Sequence, residues 1–236
     1  FKILRYSIQG NSVRGITGEF KNYQKFLLET KFDYIFIYAA QQWTFDIIIP
    51  IIDKLKNKNI YFAPCGFSGL YNPRYFNYYS NLEIYLKKFN INVLHNNNYR
   101  DALFFKKKKI YNKVLIPNAA GDEFFKEPSV DIFKKLNIKK KEFNFLRESN
   151  YRFAKGQDLS IILFFLLLTK KKINFIFIGD HKSSKIYFFY LKILKKITEF
   201  LWNNKKVYFF EKLNLDEIIS AFFKCDLFIF TSRIEC

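Results

Sequence analysis

Lys155 sits directly before Gly156, in a polar loop that follows the apolar run Phe143–Leu146. A fixed cation placed where negative charge develops lowers a reaction barrier, and a glycine beside it lets a ligand approach the backbone closely. Arg152, in the same loop, offers a planar fork suited to bidentate contact with phosphate. Glu235 follows the last apolar run, Asp226–Thr231, and ligands in open α/β sheets bind beyond the carboxyl ends of strands. Each residue also has a plain structural reading. Lys155 can be a solvated loop lysine in a lysine-rich chain, and Glu235 an exposed terminal glutamate.

Other combinations carry less chemistry. The three cysteines, Cys65, Cys225 and Cys236, are too few and too scattered for a disulfide framework or a CxxC zinc site. His95 and His181 lie far apart and offer no metal spacing. No DxD signature stands out between strands, so no metal is expected.

These residues need a scaffold, and the order of apolar runs supplies one. Short runs read as strands at Phe1–Ile8, Asp33–Tyr38, Asn59–Ala63, Ile91–Leu94 and Lys113–Ile116. Helical segments fall between them at Glu19–Leu28, Thr44–Lys56 (bent or divided at Pro50), Asn81–Phe89 and Tyr99–Phe105. A second series starts at Phe143–Leu146 and continues with strands at Asn174–Ile178, Val207–Phe210 and Asp226–Thr231. Its helices read as Asp158–Thr169, Ile186–Leu201 and Asp216–Phe223. Alternation of this kind implies parallel sheets, because parallel strands need crossover connections. Two Rossmann-like domains are therefore expected: residues 1–125, a linker at 126–141, and residues 142–236. The loops after Ala63, Leu94, Leu146, Ile178 and Phe230 are where a ligand would sit.

The net charge is +19 with 40 Lys and Arg. One reading is a polyanionic partner, nucleic acid or an anionic membrane surface. The other is codon bias, since Phe, Ile, Asn, Lys and Tyr are all abundant and an AT-rich genome inflates those residues. The preponderance of Lys over Arg favours the second, because nucleic-acid sites use the Arg fork. The run Lys170–Lys172 follows a helix, where cations suit the negative dipole end. The longest apolar stretch, Leu159–Leu168, is short of the roughly 20 residues a membrane span needs and reads as a buried helix.

Several segments, in order, resemble the group 1 (family 4) glycosyltransferases. Val114-Leu115-Ile116-Pro117-Asn118 with Phe124 and Phe125 resembles the family's interdomain run, with Ala119 where Gly is usual. Ser149–Arg152 with Lys155-Gly156 and Asp158-Leu159 resembles its donor loop; Asn150 stands at the position of the family's Arg, and Arg152 lies two residues on. Phe175–Asp180, including Gly179, resembles a strand followed by a glycine turn, and Thr231-Ser232-Arg233 with Glu235 resembles the start of its E-x7-E segment. Towards the N-terminus, Gly15–Glu19, Tyr38–Trp43 and Ala63–Leu70 are similar to a subset of the same family.

The resemblance implies a GT-B architecture: two Rossmann-like parallel-sheet domains facing a cleft, the first on the acceptor side and the second binding the donor. It implies transfer of a sugar from a nucleotide-diphosphate donor to a glycan or lipid-linked acceptor in cell-surface polysaccharide or lipopolysaccharide synthesis, with retention of configuration. Lys155 and Glu235 would be catalytic, and Asn150, Arg152, Gly179 and Ser232 would join them around the donor. Gln42, Trp43, Gly66 and His95 would line the acceptor side. Where the family often has His-Gly, this chain has Cys65-Gly66, and a thiol cannot reproduce imidazole hydrogen bonding. No cofactor, metal or nucleic acid is expected. The location would be cytoplasmic, with peripheral membrane contact an option. The chain lacks Met, starts inside a strand and stops inside a motif. Both ends are thus expected to be missing, leaving the piece inactive. The rival is a non-catalytic basic Rossmann-like protein that binds nucleic acid or an anionic membrane.

Overall fold

The computed structural model describes residues 2–55, 59–138, 142–211 and 213–234. The chain forms two units, one ending at Ala119 and the other starting at Ala120.

The first unit opens on a hairpin, not on the parallel strand expected at Phe1–Ile8. β1 (Ile8–Asn11) pairs antiparallel with β2 (Gly15–Gly18). A Cβ on Gly10 would stand 1.8 Å from the Gly15 carbonyl oxygen, so the glycine-containing stretch marks a close backbone crossing. α1 (Phe20–Glu29) leads to β3 (Tyr34–Tyr38). The helix expected over Thr44–Lys56 is only α-helical at its start, α2 (Trp43–Asp46). A 3-10 stretch over Ile49–Leu55 replaces the rest, since Pro50 has no N–H to continue the ladder. β4 (Asn59–Ala63), α3 (Phe76–Leu86), β5 (Ile91–Leu94), α4 (Arg100–Lys107) and β6 (Lys113–Leu115) complete the unit. β3, β4, β5 and β6 lie side by side in chain order, all parallel. Stacked rings hold the core: Phe62 lies 4.3 Å from Phe45 and 5.2 Å from Phe89, centroid to centroid.

The second unit begins with a 3-10 turn (Asp122–Phe125), in a stretch expected to close the first domain, and its first α-helix, α5 (Ile132–Lys135), lies inside the stretch expected as a linker. Ile132 and Phe133 are buried, and the Ile132 N–H donates to Ser220 Oγ. β7 (Phe143–Glu148), α6 (Gln157–Leu166), β8 (Ile173–Ile178), α7 (Lys185–Leu201), β9 (Lys205–Phe210), α8 (Leu215–Lys224) and β10 (Leu227–Phe228) follow. A capping box starts α8: Asn214 accepts from the Glu217 N–H, and Glu217 accepts from the Asn214 N–H. β8 is buried throughout. Its alternate side chains part to opposite faces, as a strand requires. Phe175 and Phe177 pack with Ile161, Phe164, Phe188 and Leu191 of α6 and α7. Ile176 and Ile178 pack with α5 and with Ala221 of α8.

The strand order of this sheet is β10-β7-β8-β9, all parallel. The chain runs outward from β7 through β8 to β9, then returns to place β10 on the other side of β7. That reversal is a topological switch point, where the loops leaving the two strands diverge and open a crevice. The described strands of the first unit contain no such reversal.

Candidate functional site

The loops that leave β7 and β10 meet at the carboxyl ends of their strands, at the switch point. Gly156 ends the β7 loop in a left-handed conformation, φ +67°. A Cβ there would lie 2.1 Å from the Thr231 carbonyl oxygen, so backbone meets backbone and only glycine fits. Thr231 donates its hydroxyl to the Gly156 carbonyl at 2.6 Å. The Arg233 N–H donates to the Ala154 carbonyl at 2.8 Å.

Arg147 joins the same two loops from below. It lies on β7 and is fully buried. Its guanidinium donates to the Ile229 carbonyl at 3.2 Å, to Ser232 Oγ at 2.8 Å and to the Lys155 carbonyl. It also lies 4.3 Å from the centre of the Phe230 ring. A buried guanidinium is tolerated when hydrogen-bonded in this way, and one planar fork can hold both loops at once. The apolar run Phe143–Leu146 stops one residue short of Arg147, so the sequence alone does not single it out. The available signal is a charged residue directly after that run.

A second clamp lies beside it. Arg233 pairs bidentately with Asp158 at 2.8 and 2.6 Å, and its guanidinium lies 4.0 Å from the Phe153 ring centre. Tyr187 donates to Asp158 Oδ1 at 2.7 Å. Burial alone would raise the Asp158 carboxyl. The hydrogen bonds from Arg233 and Tyr187 and the Arg233 charge outweigh it, and the net shift is downward. Gln157, fully buried, donates to Ser149 Oγ and to the Asn150 carbonyl, fixing the first half of the β7 loop.

Between these clamps stands Lys155, at the end of a 3-10 turn (Phe153–Lys155) that runs into the N-terminus of α6. Its side chain is half-exposed. Ser232, also partly exposed, approaches the Lys155 carbonyl at 3.4 Å through Oγ. Glu148 ends β7 nearby. Burial raises its carboxyl, opposed by the charges of Arg147 and Lys155. The arrangement presents a cation, a hydroxyl and a helix N-terminus at one switch point, a combination suited to an anionic, phosphorylated ligand. Glu235 lies outside the described residues.

The remaining donor-side candidates spread along the neighbouring strand ends. Gly179 follows β8, and a Cβ there would meet the Ser149 carbonyl at 2.1 Å, so it lets the β7 and β8 loops touch. Asn150 accepts from the Asp180 N–H at 3.3 Å. Exposed Arg152 reaches sideways to Ser183 Oγ at 3.2 Å. His181 Nδ1 stands 2.8 Å from Glu211 Oε1. Asp180, His181 and Glu211 form a group whose ligand-type atoms all lie within 4.8 Å of one another.

In the first unit, residues with positive φ cluster after β3 and β4: Ala39, Gln41, Cys65, Gly66 and Phe67. Such backbone is held only where the surroundings over-determine it. Gly66 donates its N–H to buried Asp101 at 3.0 Å. His95 Nδ1 lies 2.8 Å from the Ile116 carbonyl, while its Nε2 faces Cys65 Sγ at 4.0 Å. Gln42 is exposed and caps α2 with its backbone. The neighbouring Gln41 makes the polar contacts, accepting from Ser68 Oγ and the Gly69 N–H. Trp43, half-buried, packs edge-on against Tyr23 at 5.2 Å.

No protein-family model matches the chain, and no curated protein does. Solved structures do. The apo structure of OtsA superposes with a TM-score of 0.69 at 14% identity, over 92% of this chain and 56% of that one. Sucrose-phosphate synthase from Thermosynechococcus elongatus gives 0.69 at 10% identity, over 92% and 54%. HepE from Anabaena, solved in complex with UDP, gives 0.62 at 16% identity, over 90% and 56%. The chain therefore spans little more than half the length of these glycosyltransferases. At such low identity the likeness concerns the fold: two parallel α/β units of the kind that GT-B glycosyltransferases are built from.

Proposed function

We propose that this chain is part of a glycosyltransferase that takes a sugar from a nucleotide-diphosphate donor, with the diphosphate at the β7/β10 switch point. One observation carries the reading. Arg147 and the Gly156–Thr231 contact lock the two loops together, and Lys155 and Ser232 stand side by side on them. In this reading Lys155 meets the negative charge that grows on the leaving diphosphate, and the N-terminus of α6 adds its dipole. Asn150, Gly179, Ser232 and Glu235 complete the donor side, with Arg152 as a further cation at the rim. Gln42, Trp43, Gly66 and His95 belong to the acceptor side. The acceptor is a glycan or lipid-linked glycan of cell-surface polysaccharide assembly, and configuration is retained.

Two facts support the donor class. The fold is that of GT-B glycosyltransferases, and HepE has been solved with UDP-glucose. The reaction needs no metal in this reading, since side chains and a helix dipole supply the positive charge. A thermal-denaturation series tests the proposal. UDP or GDP at 100 times its Kd should stabilise the protein by about 2.7 kcal/mol. No shift with any nucleoside diphosphate refutes it.

A further inference from the structure

α6 and α7 lie next to each other on one face of the second sheet, and both turn apolar side chains away from it. Their inward residues, including Phe164, Phe188 and Leu191, fill the core. On α7 the outward positions Ile186, Phe189, Ile193, Ile197 and Phe200 recur at steps of three and four residues, so they form one stripe. Ile186 is 88% exposed and Phe200 85%. On α6 the outward residues Ile162, Leu163 and Leu166 are exposed as well. A surface helix normally presents polar residues there, and a continuous apolar patch marks an interaction site.

The charges beside the stripe say what covers it. Exposed Lys185, Lys192 and Lys196 flank it on α7, and exposed Lys170–Lys172 follow α6. The one carboxylate on α7, Glu199, is already engaged, accepting from the Val207 N–H at 2.8 Å and pairing with Lys195. A helix with Phe and Ile on one flank and Lys on the next has the composition of an element lying in a bilayer interface. Lysine stems can run along the apolar surface while their heads reach the phosphates. Self-association is opposed by the net charge of +19, which makes two copies repel.

We propose that the outer face of α6 and α7 docks on an anionic membrane, with the apolar stripe at the acyl boundary and the lysines on the lipid headgroups. The inference stands apart from the donor reading, because it uses no residue of the β7/β10 loops.

Vesicle flotation of the 236-residue chain tests it, comparing phosphatidylcholine vesicles with vesicles containing phosphatidylglycerol. The expected result is flotation with the anionic vesicles, weakened by salt, and a fall in partition of about tenfold or more on neutral vesicles. The double variants F189S/F200S and K185E/K196E change exposed positions and should each lose a similar factor while keeping the parent's circular dichroism. Equal partition of parent and variants overturns the proposal. So does an absence of flotation, or a dimer in sedimentation that F189S/F200S dissolves without any vesicle binding. UDP-dependent thermal protection, measured in the same variants, should be unchanged. Its absence in the parent would count against the donor reading alone.

Discussion

Replacing Arg147 with methionine removes the fork that holds the β7 and β10 loops together. The side chain is fully buried and donates to two carbonyls and a hydroxyl. Hydrogen bonds from a charged donor contribute about 1.5–3 kcal/mol each. Against that stands the desolvation of a buried guanidinium, which costs several kcal/mol and is removed with it. Methionine keeps most of the apolar volume over Phe230, so packing changes little. What remains is the cost of leaving acceptors at Lys155, Ile229 and Ser232 with fewer partners, about 1 kcal/mol apiece. A loss of roughly 3 kcal/mol follows, or about 10 °C in Tm for a unit of this size. Calorimetry of Arg147→Met and Arg147→Lys provides the assay. Lysine should rescue little, because its single nitrogen cannot stand at both the Nη1 position that reaches Ile229 and the Nη2 position that reaches Lys155 and Ser232. Nucleoside diphosphate should protect the variant much less than the parent, since the loops carrying Lys155 and Ser232 separate. An unchanged Tm together with full nucleotide protection would refute the claim that Arg147 organises this site.

Gly156→Ala should destabilise by about 2 kcal/mol or more, from a left-handed φ and a contact at 2.1 Å with the Thr231 oxygen, read as a drop in urea midpoint. Lys155→Ala should leave stability within about 0.5 kcal/mol, being a half-exposed loop residue, yet weaken nucleoside-diphosphate binding tenfold or more, about 1.4 kcal/mol, in calorimetric titration. The depressed Asp158 carboxyl contributes stability that is present above its unfolded pKa and lost as pH falls through the lower folded value. Urea midpoints measured from pH 7 down to pH 2 should therefore fall less steeply for Asp158→Asn than for the parent. Lys205→Met should cost about 2–3 kcal/mol in urea unfolding, because buried Lys205 Nζ donates to the Phe164, Phe165 and Leu167 carbonyls at the end of α6.

Much of the scaffold was legible because parallel strands buried on both faces announce themselves as short apolar runs. β4 and β5 fall at the expected residues, and β8 lies within one residue of them. The N-terminal hairpin was not legible: its pairing depends on where Gly10 and Gly15 cross, a contact that periodicity does not encode. Pro50 marks a break in the sequence, but the 3-10 stretch that contains it depends on packing of Ile51, Ile52 and Leu55. That Lys155-Gly156 and Ser232 lie in the loops after β7 and β10 is legible from the order of apolar runs. Arg147 and the Arg233–Asp158 pair did not, because a buried ion is understood only once its partners are placed, and these lie 75 or more residues away for Asp158 and Ser232. The capping of α6 shows the same limit. Lys170–Lys172 follow that helix in sequence, yet Lys205, from β9, binds its last carbonyls.

Lysine acetylation footprinting reads the central claim at a single side chain. With saturating nucleoside diphosphate, Lys155 should be modified at least about tenfold more slowly, as occupancy of its site demands, while exposed Lys170, Lys171 and Lys172 react at their original rates. Equal rates at Lys155 with and without the nucleotide, under conditions where the nucleotide is shown to bind, would place the diphosphate elsewhere and contradict the account.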